Sequence, residues 1–432
     1  MPSSLSSSVR WRMLALVFFA TTINYLDRIV FSVLNSVISL EMHIDDATYG
    51  NINAAFQAAY TIGFLIAGKF VDRWGTKVGY AVSIAWWSVA AALHAFAMTP
   101  VQLGIWRGML GFGEAGNFPA AIKSVAEWFP KKDRAYATGL FNSGTTVASI
   151  LGPPVFVWMT VHVGWRSCFV ITSLTGFVWL GFWWFNYALP TTHKNINPDE
   201  RDYILSDTES KVKEPTMPWA EALRYRQTWG FVLAKFFTDP VWWFYLFWLP
   251  RYLANVRHFE LSAIGWALPV IYVMASVGSV AGGWLAGALI ERGIPNGRAR
   301  FITMSLCVAC MPIGASAFLA PSPLLAIALI CFATAGHQGW SANLYTTTSD
   351  VFPKSAVASV TGIGSCFGGL GGTIFSAWLP GIIVSHFGYA PMFVIMGTFH
   401  IFALIAVRTL IGDMRPIHVR GAIQTPRTDA TA

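Results

Sequence analysis

Charge is scarce in this chain. Asp, Glu, Lys and Arg make up 12% of its 432 residues, against about 25% in a soluble domain. Hydrophobic residues reach 55%, with a mean hydropathy of +0.52, more apolar surface than a soluble fold needs. An HExxH pair, a Ser/His/Asp grouping and an acid-rich loop are all missing, so the residues for metal-assisted or nucleophilic hydrolysis are not in place. No enzyme is expected, and no cofactor or metal. The five cysteines (Cys168, Cys307, Cys310, Cys331, Cys366) lie in apolar runs. Cys307 and Cys310 have CxxC spacing, but with no nearby His or second pair they read as small packing residues. The formal charge of +8 does not point to nucleic acid, because the basic residues are scattered over short loops. No cleavable leader is expected, since the first apolar run exceeds an h-region of about 7–15 residues.

Long apolar runs are what the chain does have. They fall at about 13–40, 49–70, 78–98, 101–122, 135–161, 165–189, 227–252, 262–290, 300–319, 323–347, 355–385 and 389–411. A helix needs about 20 apolar residues to cross a bilayer. The expected fold is an all-α polytopic membrane protein with twelve transmembrane helices. The loop 190–226 is the one long polar connection and holds Pro190, Pro198, Pro215 and Pro218. It separates a six-helix half (1–189) from a second one (227–432) that ends in a short tail. A repeat supports pseudo-symmetric halves: "EWFPKKDRAYATG" (127–139) and "DVFPKSAVASVTG" (350–362) share six of thirteen residues at an offset of 223. Placing both termini and the loop 190–226 in the cytoplasm puts 22 of the 29 Lys and Arg on that side and 3 opposite, as the positive-inside rule requires.

Charges inside the spans stand out. The first run reads "FFATTINYLDRIVFSVL" (18–34), with Asp27 and Arg28 side by side. Each costs about 2.5–3.5 kcal/mol at the centre of an inserted helix. Asn24, Arg28 and Asn35 fall within about 40° on a helical wheel, a narrow polar face that suits a water-filled cavity. The fourth run, "GIWRGMLGFGEAGNFPAA", carries Arg107 and Glu114 two turns apart among close-packing glycines. These four charges either form neutral pairs that hold the bundle or serve a ligand. In the second case an Arg grips a carboxylate in a bidentate fashion. A neighbouring acid then changes protonation when the anion takes over that Arg. The seventh run, "KFFTDPVWWFYLFWLP", contributes Lys235, Asp239 and Trp242. Its Asp-Pro step suggests a helix break near the midplane. Its tryptophans suit either a sugar face or the lipid interface. The tenth run, "GHQGWSANLYTTTSD", offers His337, Trp340 and Asn343, and the fifth offers Asn142 and Thr145.

After the second run comes "GKFVDRWGTKVG" (68–79). Gly68 permits close helix packing and Gly75 a tight turn. Asp72, followed by Arg73, can latch onto a helix N-terminus or an Arg across the bundle. The pattern resembles the signature loop of the major facilitator superfamily, and "GALIERG" (287–293) is its degenerate echo. "NYLDR", "RGMLGFGEAGNFPAAIKSVAEWFPKKDRAYATG" and "HQGWSANLYTTTSDVFPK" resemble the anion:cation symporter family within that superfamily, bacterial hexuronate transporters in particular. The resemblance spans essentially the whole chain. It implies the major facilitator fold and proton-coupled uptake of a sugar acid such as galacturonate or glucuronate across a bacterial inner membrane, by alternating access and as a monomer. In related galactonate carriers the coupling carboxylates match Asp27 and Glu114, and the substrate-binding positions match Tyr25, Arg28, Tyr60 and Arg107. A Gln of those carriers is Thr145 here. That departure leaves the sugar acid open, and sibling families carry D-galactonate, glucarate, galactarate, tartrate or phthalate-like anions; sodium is the alternative coupling ion, since carboxylates bind either. A carrier-like membrane sensor is the non-transport alternative. Gln57, Asn142, His337, Trp340 and Asn343 are expected to meet sugar hydroxyls.

Overall fold

The computed structural model describes residues 9–206 and 217–417. Part of the expected central loop, with Pro215, and the tail from residue 418 lie outside the described residues. Each apolar run is helical. α1 (Val9–Val33) and a short α2 (Asn35–Met42) fill the first, α3 (Asp46–His94) holds the second and third, and α4 (Pro100–Glu114) and α5 (Asn117–Trp128) share the fourth. α6 (Lys131–Val163) and α7 (Trp165–Asn186) follow, then two short helices, α8 (Pro198–Leu205) and α9 (Trp219–Ala222). The later helices are α10 (Arg226–Asn255), α11 (Leu261–Glu291), α12 (Asn296–Ala315), α13 (Pro323–Val351), α14 (Lys354–Gly371), α15 (Leu379–Phe387) and α16 (Ala390–Ala406). A π-helical stretch, Gly372–Trp378, joins α14 to α15. Among the described residues there is no strand.

Nine helical stretches among the described residues are long and apolar enough to cross a membrane. The reasons for fewer than twelve are local. α3 carries two runs in one helix, the fourth run is broken between α4 and α5, and α10 combines Lys235 and Asp239 with many tryptophans and tyrosines. Side chains start several helices. Thr99 accepts from the Gln102 amide while the Gln102 side chain answers the Thr99 amide, and Asp45 accepts from the Thr48 amide at 2.8 Å, each satisfying an amide that a helix start leaves unpaired. Gly75 sits at φ 79°, ψ 160° and folds α3 into two limbs, a conformation that favours glycine. The two copies of the repeat share a bend: Pro130 (φ −62°, ψ 155°) precedes α6 and Pro353 (φ −64°, ψ 155°) precedes α14.

Two expectations are corrected. α10 runs unbroken through Asp239 and Pro240. The missing proline N–H frees the Phe236 carbonyl, and Gly371 packs so closely there that a Cβ would lie 2.3 Å from that oxygen. Asn35 does not share the face of Asn24 and Arg28, because the helix breaks at Leu34 (φ −90°, ψ 7°).

Early and late helices meet unevenly along the bundle axis. At the end that carries residues 34–50 they touch directly: a Cβ on Gly50 would lie 2.8 Å from the Gly381 Cα, and one on Gly265 would lie 3.2 Å from Val157. Arg251, at the end of α10, reaches across this clasped end. It donates to Asp46 at 2.5 Å, Asn35 and Ser39 at 2.8 Å and the Ile44 carbonyl at 3.1 Å. At the other, open end, Gly68, Gly139 and Gly287 would carry a Cβ into open space.

Candidate functional site

Between the early and late helices lies a cavity of about 740 Å³, with Gly139 and Tyr345 in its wall. That size lies within the usual range for small-molecule sites, about 300–1,000 Å³. α1 supplies Tyr25 and Arg28, α3 Tyr60, α6 Asn142, Thr145, Thr146 and Ser149, α10 Lys235, Asp239, Trp242 and Trp243, and α13 His337, Gln338, Ser341 and Tyr345.

Arg28 is the centre of the early wall. Its Nε donates to Glu114 Oε2 at 2.8 Å, with both side chains nearly sealed from solvent. Its guanidinium carbon stands 4.7–5.5 Å from the rings of Tyr25, Tyr60, Trp243 and Phe56. Such a cage favours a cation held without water. Glu114 ends α4, and the Asn24 amide reaches its carbonyl at 3.4 Å. Gly111 makes the approach of α3 possible, since a Cβ there would lie 2.3 Å from the Phe56 carbonyl oxygen. Asp27 is buried near this pair, with Thr172 as its polar neighbour and no cation in hydrogen-bond contact, and Glu114 Oε1 lacks a partner.

The late wall holds a second ion pair. Lys235 Nζ lies 2.7 Å from Asp239 Oδ2 and donates to the Tyr345 hydroxyl at 2.7 Å. One turn further along, Trp242 stacks on His337 (5.8 Å between centroids, 10° between planes), and its indole points at the Tyr25 hydroxyl at 3.4 Å.

Other expected site residues lie off the cavity in this conformation. Arg107 is fully buried; its Nη2 donates to the Arg28 carbonyl at 2.7 Å and its guanidinium faces Phe56 and Phe31. The partner of Glu114 is therefore Arg28, not Arg107. Gln57 is buried and packs toward Gly372. Trp340 packs edge-on against His400, which in turn meets His337 at 3.2 Å. Asn343 ties α13 to α11 through the Gly282 carbonyl at 3.1 Å. In the signature loop, Asp72 pairs with Lys123 at 2.9 Å rather than with an Arg or a helix terminus. Arg73 is exposed, and Gly68 has no close neighbour.

Sequence reasoning passed over Tyr345, Ser149, Ser276 and Ser279. The available signal was polar spacing at 142, 145 and 149 on α6 and at 276 and 279 on α11. It also counted Arg251 as an ordinary loop cation.

A polar, charged cavity enclosed by membrane-type helices is the build of a carrier. The pattern that defines the Major Facilitator Superfamily matches residues 17–376. The hexuronate transporter of Escherichia coli (strain K12) is 32% identical over 95% of this chain and 96% of its own length. The galacturonate transporter of Dickeya chrysanthemi is 34% identical over 64% of this chain and 81% of its own. The D-galactonate transporter of Escherichia coli O6:H1 is 29% identical over 94% and 97%. Among solved structures, a bacterial homologue of the lysosomal transporter Spinster, inward-facing and occupied, superposes with a TM-score of 0.74 at 20% identity, covering 94% of this chain and 98% of that one. A D-xylose-proton symporter gives 0.72 at 14%, covering 94% and 98%. The chain is an integral membrane protein that belongs to the Major Facilitator Superfamily, within its hexuronate, galactonate and glucarate transporter group.

Proposed function

We propose that the protein is a proton-coupled symporter that takes up hexuronates, galacturonate or glucuronate, by alternating access. The observation that carries this reading is Arg28 in the cavity wall, paired with the buried Glu114 behind it, in a chain 32% identical to a hexuronate transporter along nearly its whole length. A substrate carboxylate displaces Glu114 from Arg28. Glu114, released in a low-dielectric site, takes a proton, because an unpaired buried charge is costly. Asp27, buried and without a cationic partner in hydrogen-bond contact, is the second proton carrier. Arg107 stands behind Arg28 and adds positive charge to that wall. Tyr25, Tyr60 and Trp242 frame the sugar, and Asn142, Thr145 and His337 meet its hydroxyls. Gln57, Trp340 and Asn343 support the wall in this conformation.

The frame is twelve membrane crossings in two halves, 1–189 and 227–432, joined by the loop 190–226. With both termini cytoplasmic in a bacterial inner membrane, the open end faces the cytoplasm. The loop with Gly68, Asp72, Arg73 and Gly75 then latches that end when it closes.

Uptake of labelled galacturonate and glucuronate into proteoliposomes tests this reading, with and without an inward proton gradient. Accumulation is expected to collapse without the gradient. Arg28→Ala should lower it by at least about a hundredfold, the scale of breaking a buried charge pair. Gradient-independent uptake would remove the coupling. No uptake of either acid by folded protein would remove the substrate.

A further inference from the structure

The two ion pairs in the cavity wall are not equivalent. Arg28–Glu114 has a second guanidinium directly behind it, with Arg107 Nη2 2.7 Å from the Arg28 carbonyl. Lys235–Asp239 stands alone. Among the described residues lining the cavity, the charged side chains are Arg28, Lys235 and Asp239. The late pair is closed and neutral, at 2.7 Å. An ammonium has three donors; two are engaged, by Asp239 and Tyr345. Asp239 keeps 20% of its side chain exposed against 5% for Lys235, so the carboxylate is the member that a ligand meets.

Position matters as much as charge. Lys235, Asp239, Trp242 and Trp243 lie along one cavity-facing stripe of α10. The Arg28 guanidinium sits 5.2 Å from the Trp243 ring. Asp239 lies one turn of α10 from Trp243 and Lys235 two turns from it, so the pair and the Arg28 guanidinium occupy different levels of one cavity.

We infer that the Lys235–Asp239 pair reads the hydroxylated end of the substrate, and that Asp239 excludes a second carboxylate there. The inference rests on the reading of the cavity as a sugar-acid site. A hydroxyl can accept from the free ammonium hydrogen and donate to Asp239 without disturbing the pair. A carboxylate in the same place has no proton to give Asp239 and faces its charge in a poorly solvated wall, where like charges strongly oppose each other. Taking Lys235 for itself would leave Asp239 buried and unpaired, which is strongly unfavourable. The site therefore selects an acid with one anionic end and one hydroxylated end, a hexuronate or an aldonate, over an aldarate with a carboxylate at both ends.

Binding of galacturonate and of galactarate to the purified protein, by calorimetry, decides this. The two acids share the configuration of their four inner carbons; galacturonate is a ring with one carboxylate and galactarate an open chain with two, so the Asp239→Asn variant is what separates the effect of charge from that of the ring. Wild type should prefer galacturonate by at least about tenfold. Asp239→Asn keeps the shape and removes the charge, and should bring the two affinities within about threefold. Equal binding in wild type would overturn the inference, and that measurement stands by itself if the variant fails to fold. A folded Asp239→Asn variant with an unchanged preference would also overturn it. If folded wild type binds neither acid, the sugar-acid reading itself fails and takes this inference with it.

Discussion

The clasped and open ends of the bundle are made of the same materials, helices with glycines where neighbours approach, yet only one of them is closed. At the clasped end backbone meets backbone at Gly50 and Gly381, and one guanidinium gathers four acceptors from residues 35–46. At the open end the glycines of α3, α6 and α11 face empty space. Closure thus combines the Arg251 contacts with an apolar seam, where Tyr49 meets Trp248 and Phe56 meets Phe247 edge-on. The polar contacts at the rim are the part of that closure that single substitutions can cut cleanly.

The largest effect is expected where the clasp is cut. Arg251→Ala leaves Asp46 facing the interface without its cation. The full cost of breaking a buried pair is about 3–5 kcal/mol. A quarter of the Asp46 side chain is exposed, so about 2 kcal/mol is expected, roughly a thirtyfold shift toward opening of that end. A cysteine introduced at Ala377, in a chain stripped of its native cysteines, should react with a membrane-impermeant maleimide in this variant and stay protected in its parent. Equal protection would show that the clasp does not hold the end shut.

A smaller effect comes from placing the same methyl group at each end. Gly50→Ala puts a Cβ 2.8 Å from the Gly381 Cα, and overpacking by a single methyl costs about 1 kcal/mol, the low end of the usual range. Thermal stability in detergent should fall. Gly68→Ala meets nothing within 4 Å, and stability should hold or rise by up to about 1 kcal/mol from helix propensity. Uptake by Gly68→Ala should nevertheless fall, because this end must close during the cycle. Unimpaired uptake would show that α3 does not pack closely at Gly68 in the other state.

The smallest effect is a control at the clasped end, on a contact made between early helices alone. Glu41 accepts from the Trp165 indole at 2.6 Å and from Arg166 at 2.5 Å. The indole, and then the guanidinium, hold its carboxyl below the usual carboxylate range. A depressed folded-state value adds stability above the unfolded value, lost as pH falls through the folded one. The carboxylate is nearly half exposed, so solvent screening keeps the gain under about 1 kcal/mol. Glu41→Gln should melt slightly below its parent at about pH 7, and the gap should close as pH falls through the folded-state value, which lies below the usual carboxylate range. A gap that persists in acid would assign the effect to packing.

The helices were legible because apolar runs of bilayer length admit little else, and Arg28 drew attention because charge inside such a run is costly. Its partner was not legible. Arg107 and Glu114 share a face of one helix, but whether Arg28 or Arg107 takes the carboxylate depends on where α4 sits against α1, and the close α3–α4 contact at Gly111 and Phe56 helps to fix that position. The unbroken α10 was hidden for a similar reason: the carbonyl that Pro240 frees is covered by Gly371, far away in sequence. Arg251 was missed because a cation just past a span looks like any loop residue, and its carboxylate partner lies 205 positions earlier.

The clasp has a topological consequence. Its acceptors all precede residue 50 and its donor is residue 251, so no part of it needs the peptide connection between them. For the clasp, the loop between α7 and α10 supplies local concentration, although Glu200 and Tyr203 pack on early helices and Met217 and Trp219 on α14. A chain severed between residues 206 and 217 and produced as two polypeptides in one membrane would present the same guanidinium to the same carboxylate, and the pieces would reassemble as a non-covalent pair.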